Sequence, residues 1–219
     1  MGRTGWLVVA GALAAVAVAC SGGEGLRGTV LEPSRPAPDF ELTNQHGEPV
    51  ELARRLGSVI VLTFLYTNCP DICPVIASHL RRTHRLLGED AAKVEIVAIT
   101  VDPERDSVEA AYEYSEKWQM LGNWDYLVGD ESQLRPIWQA YYVASAADLR
   151  HADEGGASEK AGTSGTDALA QDIVTAYTVS HSGPVYLIGR GGDLRSLFTL
   201  PFDPEDVVHD LRLLIAEGG

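Results

Sequence analysis

The chain has 219 residues, 45% of them hydrophobic and 22% charged, with 17 basic against 31 acidic side chains and a formal charge of −14. That length suits one ordinary domain with appendages and is ample for a core. The negative charge argues against a nucleic-acid partner and against general adhesion to anionic lipid; it favours solubility or basic partners.

The N-terminus has the pattern of a targeting segment. Arg3 supplies a positive start, and Leu7–Val18 is an apolar run leading into Ala17-Val18-Ala19-Cys20. A run of about a dozen residues is too short to span a bilayer, which needs roughly 20. A short apolar run, small residues and then Cys resemble a bacterial lipoprotein signal over residues 1–19, with cleavage before Cys20 and lipid on its sulfur. An ordinary secretory signal would leave Cys20 incidental, and both readings export the protein. Residues 20–35, with Ser21-Gly22-Gly23-Glu24-Gly25, read as a flexible tether. The folded domain is expected over residues 36–217.

Within it, Phe40, Leu42, Val50 and Leu52 around His46-Gly47 suggest a β-hairpin. Val59–Tyr66 reads as a buried strand, followed by the turn Cys69-Pro70-Asp71-Ile72-Cys73-Pro74 and a helix from about Pro74 to Leu87. Pro74 is tolerable only in the first helical turn. Val94–Val101 is a second continuous apolar strand of the parallel-sheet kind. Asp106 with Glu109 fits a capping box that opens a helix to about Met120. Tyr126-Leu127-Val128 suggests a short strand and Ser132–Tyr142 another helix. From Ala144 to Asp172 the pattern dissolves into Ala, Gly, Ser, Asp and Glu, which reads as a mobile insertion. Tyr177–Ser180 and Val185–Ile188 read as strands, Gly191-Gly192 as a hairpin turn into Leu194–Phe198, and Pro204–Ala216 as the last helix. Strands alternating with helices, closed by a hairpin, predict an α/β fold with a mixed central sheet flanked by helices.

The chemistry is concentrated in Cys69 and Cys73. Thiols at i and i+4 lie on one helix face, close enough to form a disulfide or share one soft metal ion. The free N–H groups and partial positive charge of a helix start favour thiolate over thiol. If Cys20 carries lipid, these two remain as one pair. A structural staple across so short a loop would stabilise little, so the pair reads as functional.

Two thiols after a central strand, at a helix start, suggest a thioredoxin-like domain. Thr67-Asn68-Cys69-Pro70-Asp71-Ile72-Cys73-Pro74, Val101-Asp102-Pro103-Glu104-Arg105-Asp106 and Tyr177-Thr178-Val179-Ser180-His181-Ser182 together resemble the SCO/SenC family over roughly residues 36–216. These are membrane-anchored copper proteins that help assemble the copper-A centre of cytochrome c oxidase. The resemblance implies Cys69, Cys73 and His181 as copper ligands. Departures from the family pattern are Gly189, where an acidic residue is commoner, and the long insertion. Two thiolates and one imidazole make a soft site for Cu(I), and the imidazole also tolerates Cu(II). Zinc normally wants a fourth ligand. His79 and His84 read as a solvated face beside Arg81, Arg82 and Arg85; His46, His151 and His209 read as incidental. Asp71 is expected at the surface. Asp102 is either a support for the metal loop or a plain turn residue. Trp118, Trp124 and Trp138 read as core.

The resemblance therefore implies a copper chaperone, and the lipoprotein-like signal implies the extracytoplasmic side of a bacterial membrane with a lipid anchor at Cys20. It would pass copper to the copper-A subunit and could receive it from another periplasmic copper chaperone. The alternative is a thiol–disulfide oxidoreductase that reduces the acceptor's cysteines, with Cys69 attacking and Cys73 resolving. A peroxidase is disfavoured because the Thr-x-x-Cys arrangement is absent, Thr67 falling two residues before Cys69.

Overall fold

The computed structural model describes residues 25–146 and 183–217. In chain order it contains β1 (Thr29–Pro36), β2 (Glu41–Thr43), β3 (Pro49–Glu51), β4 (Val59–Leu65), α1 (Ile72–Leu87), β5 (Val94–Thr100), α2 (Val108–Lys117) and β6 (Asp125–Leu127). Then follow α3 (Glu131–Ala140), β7 (Val185–Ile188), β8 (Asp193–Phe198) and α4 (Pro204–Ala216). Among the described residues the main sheet runs β1-β8-β7-β4-β5-β6, and β2-β3 form a separate hairpin. β4, β5 and β6 are parallel, whereas β7 is antiparallel to β4 and β8 continues the antiparallel half out to β1.

The run Val59–Leu65 is buried at every position, as a strand covered on both faces requires. Its side chains alternate between two cores. Val59, Val61 and Leu65 pack with Cys73, Ile76 and Leu80 of α1, Tyr114 of α2 and Leu211 of α4. Ile60, Leu62 and Phe64 pack with Phe40 and Val50 of the hairpin and Leu134 and Trp138 of α3. The expected mixed sheet with helices on both faces is the observed one.

The expected tether is shorter than residues 20–35, because Thr29–Pro36 is an edge strand paired with β8 at Thr29↔Leu197 and Pro36↔Asp193. Its residues are almost all exposed and it carries Pro33 and Pro36, so it lacks the alternation that marks a strand. Backbone pairing holds it instead, together with Asp210, whose carboxylate accepts from Arg27 N–H at 2.7 Å and Gly28 N–H at 3.0 Å.

Two helix starts also differ from expectation. α1 opens at Ile72, so Cys73 is already helical. α2 is capped by Ser107, whose hydroxyl accepts from Ala110 N–H at 3.1 Å, because Asp106 is turned inward. α3 carries a true capping box between Asp130 and Gln133. The expected strand Tyr177–Ser180 and all of the expected insertion beyond Ala146 lie outside the described residues.

Candidate metal centre

β4 delivers the chain to the thiol turn at the carboxyl end of the parallel strands, the place where sites gather in open α/β sheets. Cys69 lies in the turn and not on the helix, where its N–H donates to Tyr66 C=O at 3.2 Å. Cys73 sits in the first turn of α1. The two thiols therefore meet because the turn folds back, not because they share a helix face. Cys73 N–H, one of the donors a helix start leaves free, donates to Cys69 Sγ at 3.4 Å. Both cysteines are free thiols and both are buried.

The environment splits the pair. Cys69 is brought down to about 6, chiefly because the Cys73 thiol donates a hydrogen bond to it; burial opposes this, while the N–H groups of Asp71 and Cys73 and the Tyr66 phenol assist. Cys73 is pushed far up because that same bond needs its proton, because it is buried, and because it faces the Cys69 charge. The reduced site thus holds one thiolate and one thiol. Burial, and then the charge of Cys69, hold the Tyr66 phenol in its neutral, donating form.

Behind the turn lies a residue whose role the sequence did not disclose. Asp106 is 3% exposed and its carboxylate accepts from Thr67 Oγ1 at 2.6 Å, Thr100 Oγ1 at 2.6 Å and Tyr126 OH at 2.9 Å. Thr67 N–H completes the set at 3.1 and 3.2 Å to the two oxygens. Asp102 is buried, its N–H donating to Thr100 Oγ1 at 3.0 Å and its carboxylate pairing with Arg105 at 3.3 Å. Its C=O accepts from the N–H groups of Arg105 and Asp106, so it builds the turn that aims Asp106 inward. Asp71 is exposed at the helix start and caps nothing with its side chain.

β7 returns beside the thiol turn. Thr63 Oγ1 donates to Pro184 C=O at 2.9 Å, and Gly183, at φ +56, leaves room for Ile72 and Ile76 of α1. His181, Cys20 and His151 lie outside the described residues. Among the described residues no group of three or more His, Cys, Asp or Glu side chains is arranged to hold a metal ion. His79 departs from the expected solvated face, since its ring meets Phe202 edge-on at 5.0 Å and its Nδ1 is buried without a partner. His46 meets Tyr112 edge-on in the hairpin turn, and His209 Nε2 lies 3.2 Å from Gly25 C=O. Trp124 and Trp138 are core residues, their Nε1 groups donating to Ser115 Oγ and Thr100 C=O.

A mixed sheet with helices on both faces and a dithiol at the start of the first helix defines a thioredoxin-like dithiol protein. The SCO1/SenC family model matches residues 29–216, and the chain belongs to that family. It is 29% identical over 179 residues to the SCO1 protein homolog of Bacillus subtilis, covering 79% of each chain. It is similar to the structure of Bradyrhizobium japonicum ScoI with copper bound, at 25% identity and a TM-score of 0.59, over 82% of this chain and 99% of that one. The fold is also that of BsSco, described as a member of the Sco family of cytochrome c oxidase assembly proteins, with a TM-score of 0.62 at 20% identity over 85% of this chain and 97% of that one.

Proposed function

We propose that this protein is a copper-delivery protein that holds copper through Cys69, Cys73 and His181 and hands it to the copper-A subunit of cytochrome c oxidase. The observation that carries this reading is the thiol pair itself. One sulfur is ionised near neutral pH and the other lies within the same hydrogen-bonded turn, which is the soft, partly prepaid donor set that Cu(I) selects. Copper is the cargo, and its arrival displaces the proton of Cys73. The third donor implied by the family resemblance, His181, lies outside the described residues. His181 fits, because Gly183 rests against Ile72 and Ile76, the neighbours of Cys73 in α1, and two residues of chain reach only about 7 Å. The similarity to ScoI with copper bound supports copper as the cargo, and the family motifs imply these three residues as its ligands. The signal-like segment over residues 1–19 supports a lipid anchor at Cys20 on the extracytoplasmic face of a bacterial membrane.

The deciding experiment is anaerobic titration of the reduced full-length protein with Cu(I) against a competing chelator. One copper per chain, weakened by orders of magnitude in His181→Ala, is the expected result. Weak binding indifferent to that substitution would overturn the ligand set.

A second reading has its own support in the asymmetry of the thiols. A low-pKa Cys69 and a protonated, buried Cys73 form an attacking and resolving pair. The Cys69 thiolate would attack an acceptor disulfide and release one acceptor sulfur as thiolate. Cys73 would then lose its proton, attack Cys69 and release the second, leaving this pair oxidised and the acceptor as a dithiol. His181→Ala would leave that activity intact, whereas Cys69→Ser would abolish it.

A further inference from the structure

The chain from Leu65 to the start of α1 is a short connection whose shape decides whether Cys69 reaches Cys73. Its own backbone supplies one bond, from Cys69 N–H to Tyr66 C=O. Donors at its far end reach Cys69 Sγ, and a further tie comes from outside it. Asp106 grips Thr67 at both N–H and hydroxyl, and Thr67 stands two residues before Cys69. The other face of the same carboxylate is fixed to Thr100 at the end of β5 and to Tyr126 in β6. Tyr126 is completely buried, and its N–H donates to Gln45 Oε1 at 2.7 Å, so the anchor is rigid. The groups that reach Asp106 are neutral hydroxyls and an amide, and they fill the acceptor positions of a carboxylate. Burying such a charge is unfavourable unless it is fully hydrogen-bonded, and here every bond also serves to pin the thiol turn to the neighbouring parallel strands.

We propose that Asp106 is a positioning residue for the thiol pair, holding Cys69 against the start of α1 through its grip on Thr67. This rests on the reading of the dithiol as the functional site and adds a residue to it. Asp106 touches neither sulfur nor cargo. It sets the turn from which Cys69 Sγ meets the Cys73 N–H.

The test compares Asp106→Ala with Asp106→Asn in the full-length protein. Asn keeps an acceptor oxygen for Thr67 and amide hydrogens for hydroxyls that can rotate to accept them, whereas Ala removes the grip. Thr67→Val and Thr67→Ser form a second pair that decides the matter if Asp106→Ala does not fold. Two readouts are taken, Cu(I) affinity by chelator competition and amide hydrogen exchange across residues 67–73 against exchange in β4. Asp106→Ala and Thr67→Val are expected to weaken Cu(I) by about ten- to hundredfold, with Asn and Ser staying within about threefold of the parent. Exchange in the turn should accelerate about tenfold while β4 is unchanged. A folded Asp106→Ala or Thr67→Val protein with parental affinity and parental turn exchange overturns the proposal. Equal acceleration in β4 and in the turn also overturns it, since the residue would then support the whole domain. If the parent itself fails to bind copper, the copper reading falls, and the exchange comparison alone decides the role of Asp106.

Discussion

Gly183 lies so close to α1 that a Cβ on it would sit 2.2 Å from Cδ1 of Ile76. At φ +56 the backbone is also in the region that L side chains avoid. The close approach brings the start of β7 onto the first turns of the helix that carries Cys73. Gly183→Ala should therefore lower unfolding free energy by about 1–3 kcal/mol in urea titration. In a double variant with Ile76→Ala, part of that loss should vanish, because the clash is removed while the backbone strain remains.

The split between the two thiols predicts a reactivity profile. Alkylation of reduced protein at Cys69 should rise with pH around 6, where Cys69 ionises, instead of around 8.5, the ordinary thiol value. In Cys73→Ala the donated hydrogen bond is lost and the profile should move toward the ordinary value. An unmoved profile would mean that the amides of Asp71 and residue 73 together with the Tyr66 phenol suffice to hold the thiolate.

The same split gives reduced protein a stability maximum in pH. Cys69 is lowered in the fold, so its contribution is present above the unfolded value of about 8.5 and is lost as pH falls toward 6. Cys73 is raised, so its contribution is present below about 8.5 and is lost as pH climbs beyond it. Denaturant midpoints of reduced protein should climb from pH 6 to about 8.5 and fall above it. Protein with both cysteines replaced by Ala should lack this peak.

Much of this site was legible in the chain because its parts are continuous. Val59–Leu65 is apolar at every position but Thr63, and a run of that kind followed by Cys-x3-Cys and a helical pattern has few other interpretations. What escaped was whatever depends on direction. Asp106 and Glu109 have the spacing of a capping box, but spacing cannot say that Asp106 points into the core while Ser107 takes the cap. Cys69 and Cys73 have helical spacing too, yet the first lies in the turn and only the fold-back brings it to the second. β1 was hidden because an exposed edge strand with two prolines has no periodicity, and its pairing is a property of β8 rather than of its own side chains.

The edge strand offers the last test. Asp210 is completely buried, and its carboxylate accepts from Arg27 N–H, Gly28 N–H and Ser196 Oγ, the last at 3.3 Å. It is thus the point at which α4 fastens the chain just before β1 to the sheet. Asp210→Ala would leave the buried Gly28 N–H and the Ser196 hydroxyl without this acceptor. Hydrogen bonds to a charged group are worth about 1.5–3 kcal/mol each, and a loss of about 2–4 kcal/mol in unfolding free energy is expected for the set. The loss should be uneven across the molecule. Amide exchange along Thr29–Pro36 should accelerate well beyond that of β4, because β1 is held by its pairing with β8 and by this carboxylate. Since the partners of the Asp210 carboxylate are Arg27, Gly28 and Ser196 and none belongs to the thiol turn, Cu(I) affinity of the folded protein should stay at the parental level. A matching loss of affinity would show that the edge strand and the thiol site are coupled through the sheet.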